Sequence, residues 1–338
     1  MNQAPTLFEA IGGTATCRKL SKAFYARVER DPALRPLFPG THFRCAIEAF
    51  SAFLVQFLGG PSEDSQLRFY VSLRESHQRF HIDKRYRDAW MGNMAAALED
   101  ARIQKPAREA MRAFFDVAAD YILGAGPEGR RLSRELARRW VSQTRADDVV
   151  AAIRAGDAAR AIRLSTHCSQ ALLPGLFALM LRSGDTRLID FVCERVTAEP
   201  EFIQQRYAGR TLLHSAAGAG SLRMVELLLL LGADPNVLDG GRHTPLYCTG
   251  NECAGPESAE VVHALVRAGA RVDACDGVTE ATPLHMAARR GNVVVARALL
   301  ECGADLHVRD RRGDTPFDRA VNCRKMHVAE FLRSWRQD

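Results

Sequence analysis

Thr282-Pro-Leu-His-Met-Ala-Ala-Arg-Arg-Gly291 is the stretch from which the second half of this 338-residue chain can be read. Threonine caps a helix by accepting from a first-turn amide, and proline suits that turn because the N–H it lacks has no partner there. Small residues let a neighbouring helix approach closely, and glycine supplies the left-handed residue that ends a helix. The pattern returns as Thr211-Leu-Leu-His214, Thr244-Pro-Leu-Tyr247 and Thr315-Pro-Phe-Asp318, at spacings of 33, 38 and 33 residues. An apolar run ending in Gly-Ala follows each of the first three copies: Leu227–Ala233, Ala264–Ala270 and Ala298–Ala304. Such units cannot bury their apolar faces alone, so they must stack on one another.

These residues resemble ankyrin repeats, whose pattern T-P-L-H-x-A recurs with a period of about 33. The match is nearly complete at Thr282–Ala287. The resemblance implies an α-helical solenoid that docks an unknown protein partner, with His214, Tyr247 and His285 as structural residues. The 38-residue step implies an insertion around Gly250–Pro256. Upstream, Asp147–Leu164 and Leu176–Val196 each read as two short helices joined by Gly-Asp, at Gly156-Asp157 and Gly184-Asp185. They lack the Thr-Pro signature and read as degenerate repeats at the start of the array. The expected array therefore spans 147–338, with two degenerate repeats and about four clearer ones, the last ending near Leu332.

The first 125 residues have no such period and read as amphipathic helices. Leu20, Phe24 and Val28 share one face. Ala46, Phe50, Leu54 and Leu58 form an i, i+4 stripe, widened by Ile47, Phe53 and Phe57. Trp90, Met94 and Leu98 form a third face, and Met111, Phe115, Ala118 and Ile122 a fourth. Gly12-Gly13 and Gly59-Gly60 punctuate them. No segment alternates with period two, so the expected fold class is all-α. Within Tyr70–Ile82, His77 shares a helical face with Tyr70 and Leu73. A single histidine on an apolar face is commonly a satisfied core residue. His81 allows an i, i+4 metal pair, although no carboxylate or cysteine stands at supporting spacing for zinc.

Thr6-Leu-Phe-Glu-Ala-Ile-Gly-Gly13, Phe24-Tyr25, Leu34-Arg-Pro-Leu-Phe38-Pro, Phe53-Leu-Val-Gln-Phe-Leu-Gly-Gly-Pro61, His77 and Arg87-Asp-Ala-Trp90 occur in that order. Together they resemble a truncated haemoglobin, and the tryptophan after Arg-Asp-Ala is similar to group II of that family. The resemblance covers about residues 5–123 and implies a haem-binding domain over 1–125. It makes His77 the proximal iron ligand. It sets Tyr25 on the distal side, Phe38 against the porphyrin, Ala46 and Phe50 on the ligand-facing side of the distal helix, and Trp90 over the pocket. Dioxygen held there carries partial negative charge, so the Tyr25 phenol and the Trp90 indole can donate to it in a dry pocket. Ser76 stands where relatives often carry a basic residue, which leaves Arg74 and Arg79 as candidates to pair the haem propionates. Phe50 is bulkier than the leucine common in relatives and narrows ligand access. No C-x-x-C-H occurs, so haem b is expected rather than covalent attachment. The implied function is reversible binding of dioxygen or another diatomic gas such as nitric oxide or carbon monoxide. The alternative is a haem enzyme for nitric oxide dioxygenation or peroxide reduction.

Composition limits the remaining classes. Apolar residues make up 47% and charged residues 25%, which is globular rather than disordered. No apolar run reaches the ~20 residues of a spanning helix, and Met1–Phe8 lacks the pattern of a secretory signal, so no membrane association is expected. Nine cysteines without a C-x-x-C pair read as reduced thiols of a cytoplasmic protein. The net charge is +6, and Gly126–Arg145 holds six basic residues against two acidic ones. That is too local for a nucleic-acid face. Gly124-Ala-Gly-Pro-Glu-Gly129 formally satisfies G-x-G-x-x-G but follows a helix, not a strand. Residues 126–146 are therefore expected to form a basic helical linker, with Arg130–Trp140 solvated between two separable halves.

Overall fold

The computed structural model describes residues 5–38, 40, 42–61, 72–78, 80–124, 132–253 and 255–335. Among them are eighteen α-helices and a single two-stranded hairpin, as an all-α fold requires. The chain forms two compact units, residues 1–152 with 163–172, and residues 153–162 with 173–338.

In the first unit, α1 (Leu7–Ile11) opens with a capping box in which Thr6 and Glu9 satisfy each other's amides. Gly12 and Gly13 both take positive φ, at 99° and 69°, so the chain turns directly into α2 (Gly13–Val28). The predicted faces become the core: Leu20, Phe24 and Val28 of α2, and Leu54, Phe57 and Leu58 of α3 (Arg44–Leu58), are buried. The short α4 (Leu73–His77) follows, then α5 (Lys84–Asp100), which brings Met94 and Leu98 inward. In α6 (Ala107–Ile122), Met111, Phe114, Phe115 and Ala118 complete that core. The first half of the α3 stripe behaves differently. Ala46, Ile47, Phe50 and Phe53 are only half-buried.

The expected linker is not a solvated spacer. Residues 134–154 form α7, and its Leu136 and Trp140 belong to the same buried cluster as Phe57, Phe114 and Met94. The Trp140 ring lies 5.1 Å from Tyr121 and 6.0 Å from Phe114, edge-on to both. Buried positions recur as Leu136, Trp140, Gln143, Asp147 and Val150, which is one helical face. Two of the five are polar and arginines intervene, so the face is hard to see as a hydrophobic stripe. Residues 125–131, including most of the Gly124–Gly129 boundary, lie outside the described residues.

The second unit begins with α8 (Ala158–Ser165, its last residues with the first unit), α9 (Leu173–Ser183) and α10 (Thr186–Ala198). Asp185 caps α10. A short antiparallel hairpin follows, β1 (Arg206–Tyr207) with β2 (Arg210–Thr211). Four helix pairs then repeat: α11 (Leu212–Ala219) and α12 (Leu222–Leu230), α13 (Pro245–Glu252) and α14 (Ser258–Arg267), α15 (Pro283–Arg290) and α16 (Val293–Glu301), α17 (Pro316–Asn322) and α18 (Met326–Ser334). The expected insertion falls between α13 and α14, where residues 253–257 replace the two-residue turn of the neighbouring pairs; Ala254 lies outside the described residues.

The motif residues His214, Tyr247 and His285 hook each repeat to the next. His214 Nδ1 accepts from the Thr211 amide, so its proton sits on Nε2, which donates to the His243 carbonyl at 3.0 Å. His285 repeats this against Asp314 at 3.0 Å, and the Tyr247 hydroxyl donates to Asp276 at 3.0 Å. Each hook reaches a residue 29 positions ahead. The buried carboxylates Asp239, Asp276 and Asp310 receive loop amides at equivalent places.

Burial lowers the His214 pKa from 6.5 to about 4, against the opposing pull of the His243 carbonyl. The neutral ring is the folded form, so its stabilisation is complete above pH 6.5 and lost as pH falls toward 4. The loss should reach roughly 3 kcal/mol. Amide exchange in α11 should accelerate through that window in the wild type, and His214→Gln should flatten the pH response. Separately, Trp140→Ala should destabilise the first unit by about 3–5 kcal/mol in urea unfolding. A solvated linker residue would change stability by no more than about 0.5 kcal/mol.

Candidate functional site

Helix α4 carries the histidine singled out by the sequence. Ser72 caps it, accepting from the Glu75 amide at 2.9 Å, and the Leu73 amide donates to Asp147 Oδ1 at 2.8 Å. His77 is the last residue of the helix. Its Nδ1 lies 2.8 Å from the Leu73 carbonyl and 2.9 Å from Ser76 Oγ, which itself reaches the same carbonyl at 2.8 Å. A carbonyl can only accept, so Nδ1 carries a proton, and in the neutral ring the lone pair then sits on Nε2. Metal-binding histidines are oriented by this kind of hydrogen bond. Ser76, which the sequence marked as a departure, thus serves to pin the Leu73–His77 contact.

A continuous series of rings leads away from His77. Phe80 lies 6.4 Å from the imidazole and 6.0 Å from Phe38. Phe38 meets Tyr25 edge-on at 5.6 Å, while Phe43 stacks on Tyr25 at 5.3 Å and Phe50 meets it edge-on at 6.4 Å. Phe24 touches Tyr25, Phe50 and Trp90, and Trp90 is held between Phe24 and Phe115. Tyr25, Phe38, Phe50 and Trp90 are therefore brought together with His77, and Ala46 stands one turn before Phe50 on α3. Phe43 was not singled out by the sequence. It precedes α3 in a loop, where periodicity gives no signal.

Tyr25, Phe38, Phe43, Phe50 and Trp90 are only partly buried, although they pack on a fully buried core that includes Phe24 and Phe115. A half-exposed cluster of that size is unfavourable in water, and an apolar ligand laid against it would complete it. An imidazole whose Nδ1 is tied to a carbonyl, beside an aromatic wall, fits haem. Arg87 supports the wall from outside. It joins Asp116 at 2.8 Å and Asp120 at 2.9 Å, tying the turn of α5 that bears Trp90 to α6.

Two expected propionate partners fare differently. The Arg74 guanidinium lies 4.0 Å over the Tyr121 ring, so the geometry commits it to α6 rather than to a ligand. Arg79 lies outside the described residues, as does Tyr70. His81 is exposed in the loop after α4. Among the described residues no group of three metal-ligating side chains occurs, so the His77–His81 pair gains no further ligand.

The family described as bacterial-like globin matches residues 6–123. Group 2 truncated hemoglobin YjbI of Bacillus subtilis is 30% identical over 116 residues, which span 34% of this chain and 86% of that protein. This chain belongs to the truncated haemoglobin family. A solved hemoglobin from the thermophilic phototrophic bacterium Chloroflexus aurantiacus is 44% identical, covering 35% of this chain and 98% of that one, with a TM-score of 0.33. Beyond its globin segment, this truncated haemoglobin carries ankyrin repeats, matched over 202–246 and 252–338. Human ankyrin repeat and SOCS box protein 16 is 38% identical over 134 residues, 38% of this chain but only 29% of that protein. Helix α7 lies outside every one of the matched family segments.

Proposed function

We propose that this truncated haemoglobin binds haem b through His77, takes up a diatomic gas reversibly, and docks a protein partner through its ankyrin repeats. The observation that carries the reading is the His77 Nδ1 contact with Leu73, which sets the tautomer a neutral iron ligand needs. When bound, haem supplies an iron centre to which dioxygen, nitric oxide or carbon monoxide adds without net reaction. The protein's residues supply the rest. Phe38 covers the porphyrin face, and Ala46 and Phe50 limit the room for the gas. The Tyr25 phenol and the Trp90 indole donate hydrogen bonds toward it. Arg79 is the sequence's remaining cation for the propionates, since Arg74 is held by Tyr121.

Among the described residues no disulfide joins the cysteines, and reduced thiols support the reading of a cytoplasmic protein. Among the described residues no helix is long and apolar enough to cross a membrane.

His77→Gly should abolish stoichiometric haem uptake, and imidazole in solution should restore it. Absorption spectra of oxidised, reduced and carbon monoxide-treated protein report this directly. A variant that keeps a five-coordinate ferrous spectrum without imidazole would overturn the ligand assignment. Tyr25→Phe should speed dioxygen dissociation by about ten- to a hundredfold, the equivalent of ~1.5–3 kcal/mol for one charge-assisted hydrogen bond. Carbon monoxide, less polarised when held, should change far less. Equal acceleration of both gases in stopped flow would make the phenol a wall and not a donor.

A further inference from the structure

Helix α4 is gripped from outside the family-matched segment. Asp147 belongs to α7, beyond residue 123, yet its carboxylate is buried and accepts from the Leu73 amide at 2.8 Å. The other end of the same residue matters too, because the Leu73 carbonyl is the group that faces His77 Nδ1 at 2.8 Å. Carboxylate and imidazole therefore meet at the two ends of one residue: Asp147 Oδ1 at the N–H of Leu73, and His77 Nδ1 at its C=O. We propose that Asp147 is a positioning residue for the His77 iron ligand, supplied by the helix that leaves the globin segment. This rests on the reading of His77 as that ligand.

Three observations carry it. First, α4 spans five residues, too few to hold its own geometry, and its first amide has this carboxylate as its partner. Second, Asp147 is itself held firmly, because Leu136 and Trp140, eleven and seven residues before it on the same face of the helix, are buried in the globin core. Third, its surroundings are polar and local to α4 and α6. The Ser72 and Tyr121 hydroxyls and the Arg74 guanidinium all favour its charged form, against burial, which raises its pKa. Arg74 in turn lies over the Tyr121 ring. Asp147 Oδ2 and the Tyr121 hydroxyl are both buried without a well-formed hydrogen bond, and burial together with this carboxylate pushes the phenol pKa up. A residue needed only to fill space here would be apolar, because burying a carboxylate is costly unless its hydrogen bonds serve a purpose.

The test uses the full-length protein with Asp147→Ala and Asp147→Asn. Amide exchange is read by peptide in the haem-free form. Haem release to an excess of apomyoglobin and the ferrous iron–histidine stretching band in resonance Raman are read in the loaded form. Asp147→Ala should speed exchange in residues 72–78 by about tenfold while α2 and α3 keep wild-type protection. Haem release should rise by about tenfold, and the iron–histidine band should shift or broaden. Asp147→Asn keeps an acceptor oxygen without the charge and should fall between the two. Unchanged exchange and an unchanged band in Asp147→Ala would overturn the proposal. So would equal loosening of α2, α3 and α4, since that is the signature of a residue that merely supports the core. A wild-type protein that takes up no haem would instead remove the His77 reading on which the proposal stands, whichever way the exchange falls.

Discussion

The helix that presents His77 is five residues long, and a helix of that length does not persist in water without help. Everything around the pocket follows from supplying that help. Ser72 satisfies one orphan amide at its start, Asp147 satisfies another, and Leu73 links the second to the imidazole. The histidine is thereby aimed by neighbours rather than by its own helix. The longer helices α2, α3, α5 and α6 are placed mainly by burial of their apolar faces.

Those four helices divide their apolar residues between two tasks. Leu20, Leu54, Leu58, Met94, Met111 and Phe114 are fully enclosed and set the positions of the helices. Tyr25, Phe50 and Trp90, joined by Phe38 from the segment between α2 and α3, remain half-exposed on that foundation. The division is sharpest in α3, where the same stripe changes from half-buried at Phe50 to buried at Leu54 within one turn. Ion pairing supports the scheme from the surface, since Arg87 joins two carboxylates of α6 and is mostly shielded from solvent. Such a pair is worth more than an exposed one because water screens it less.

The ankyrin repeats solve a different problem by local means. Each turn of the array is held to the next by a side chain in the T-P-L-H position and by a buried aspartate that gathers loop amides. Tyr247 takes the place of histidine in one repeat and makes the same forward reach through a different acceptor, Asp276. The constraint is a hydrogen bond spanning one repeat, not a particular side chain. Stability then comes from each neighbour in turn, as it does in solenoids generally.

Much of this was legible in the sequence, because helical periods and capping residues are local properties. The four Thr-led copies, the faces of α2 to α6 and the ordered set of Tyr25, His77 and Trp90 all depend on neighbours within a few positions along the chain. The fold class and the family followed from them. What the tertiary structure alone decided involves residues far apart in sequence. Leu73 and Asp147 are 74 positions apart, and no local pattern announces their contact. Arg74 offered its charge to a ligand in sequence, but an aromatic ring from α6 claims it. Helix α7 read as a solvated linker because arginines dominate its composition, whereas burial follows the one face on which Leu136, Trp140 and Asp147 align. A helix is assigned by its period, but its role is assigned by what lies opposite that face, and only folding supplies that.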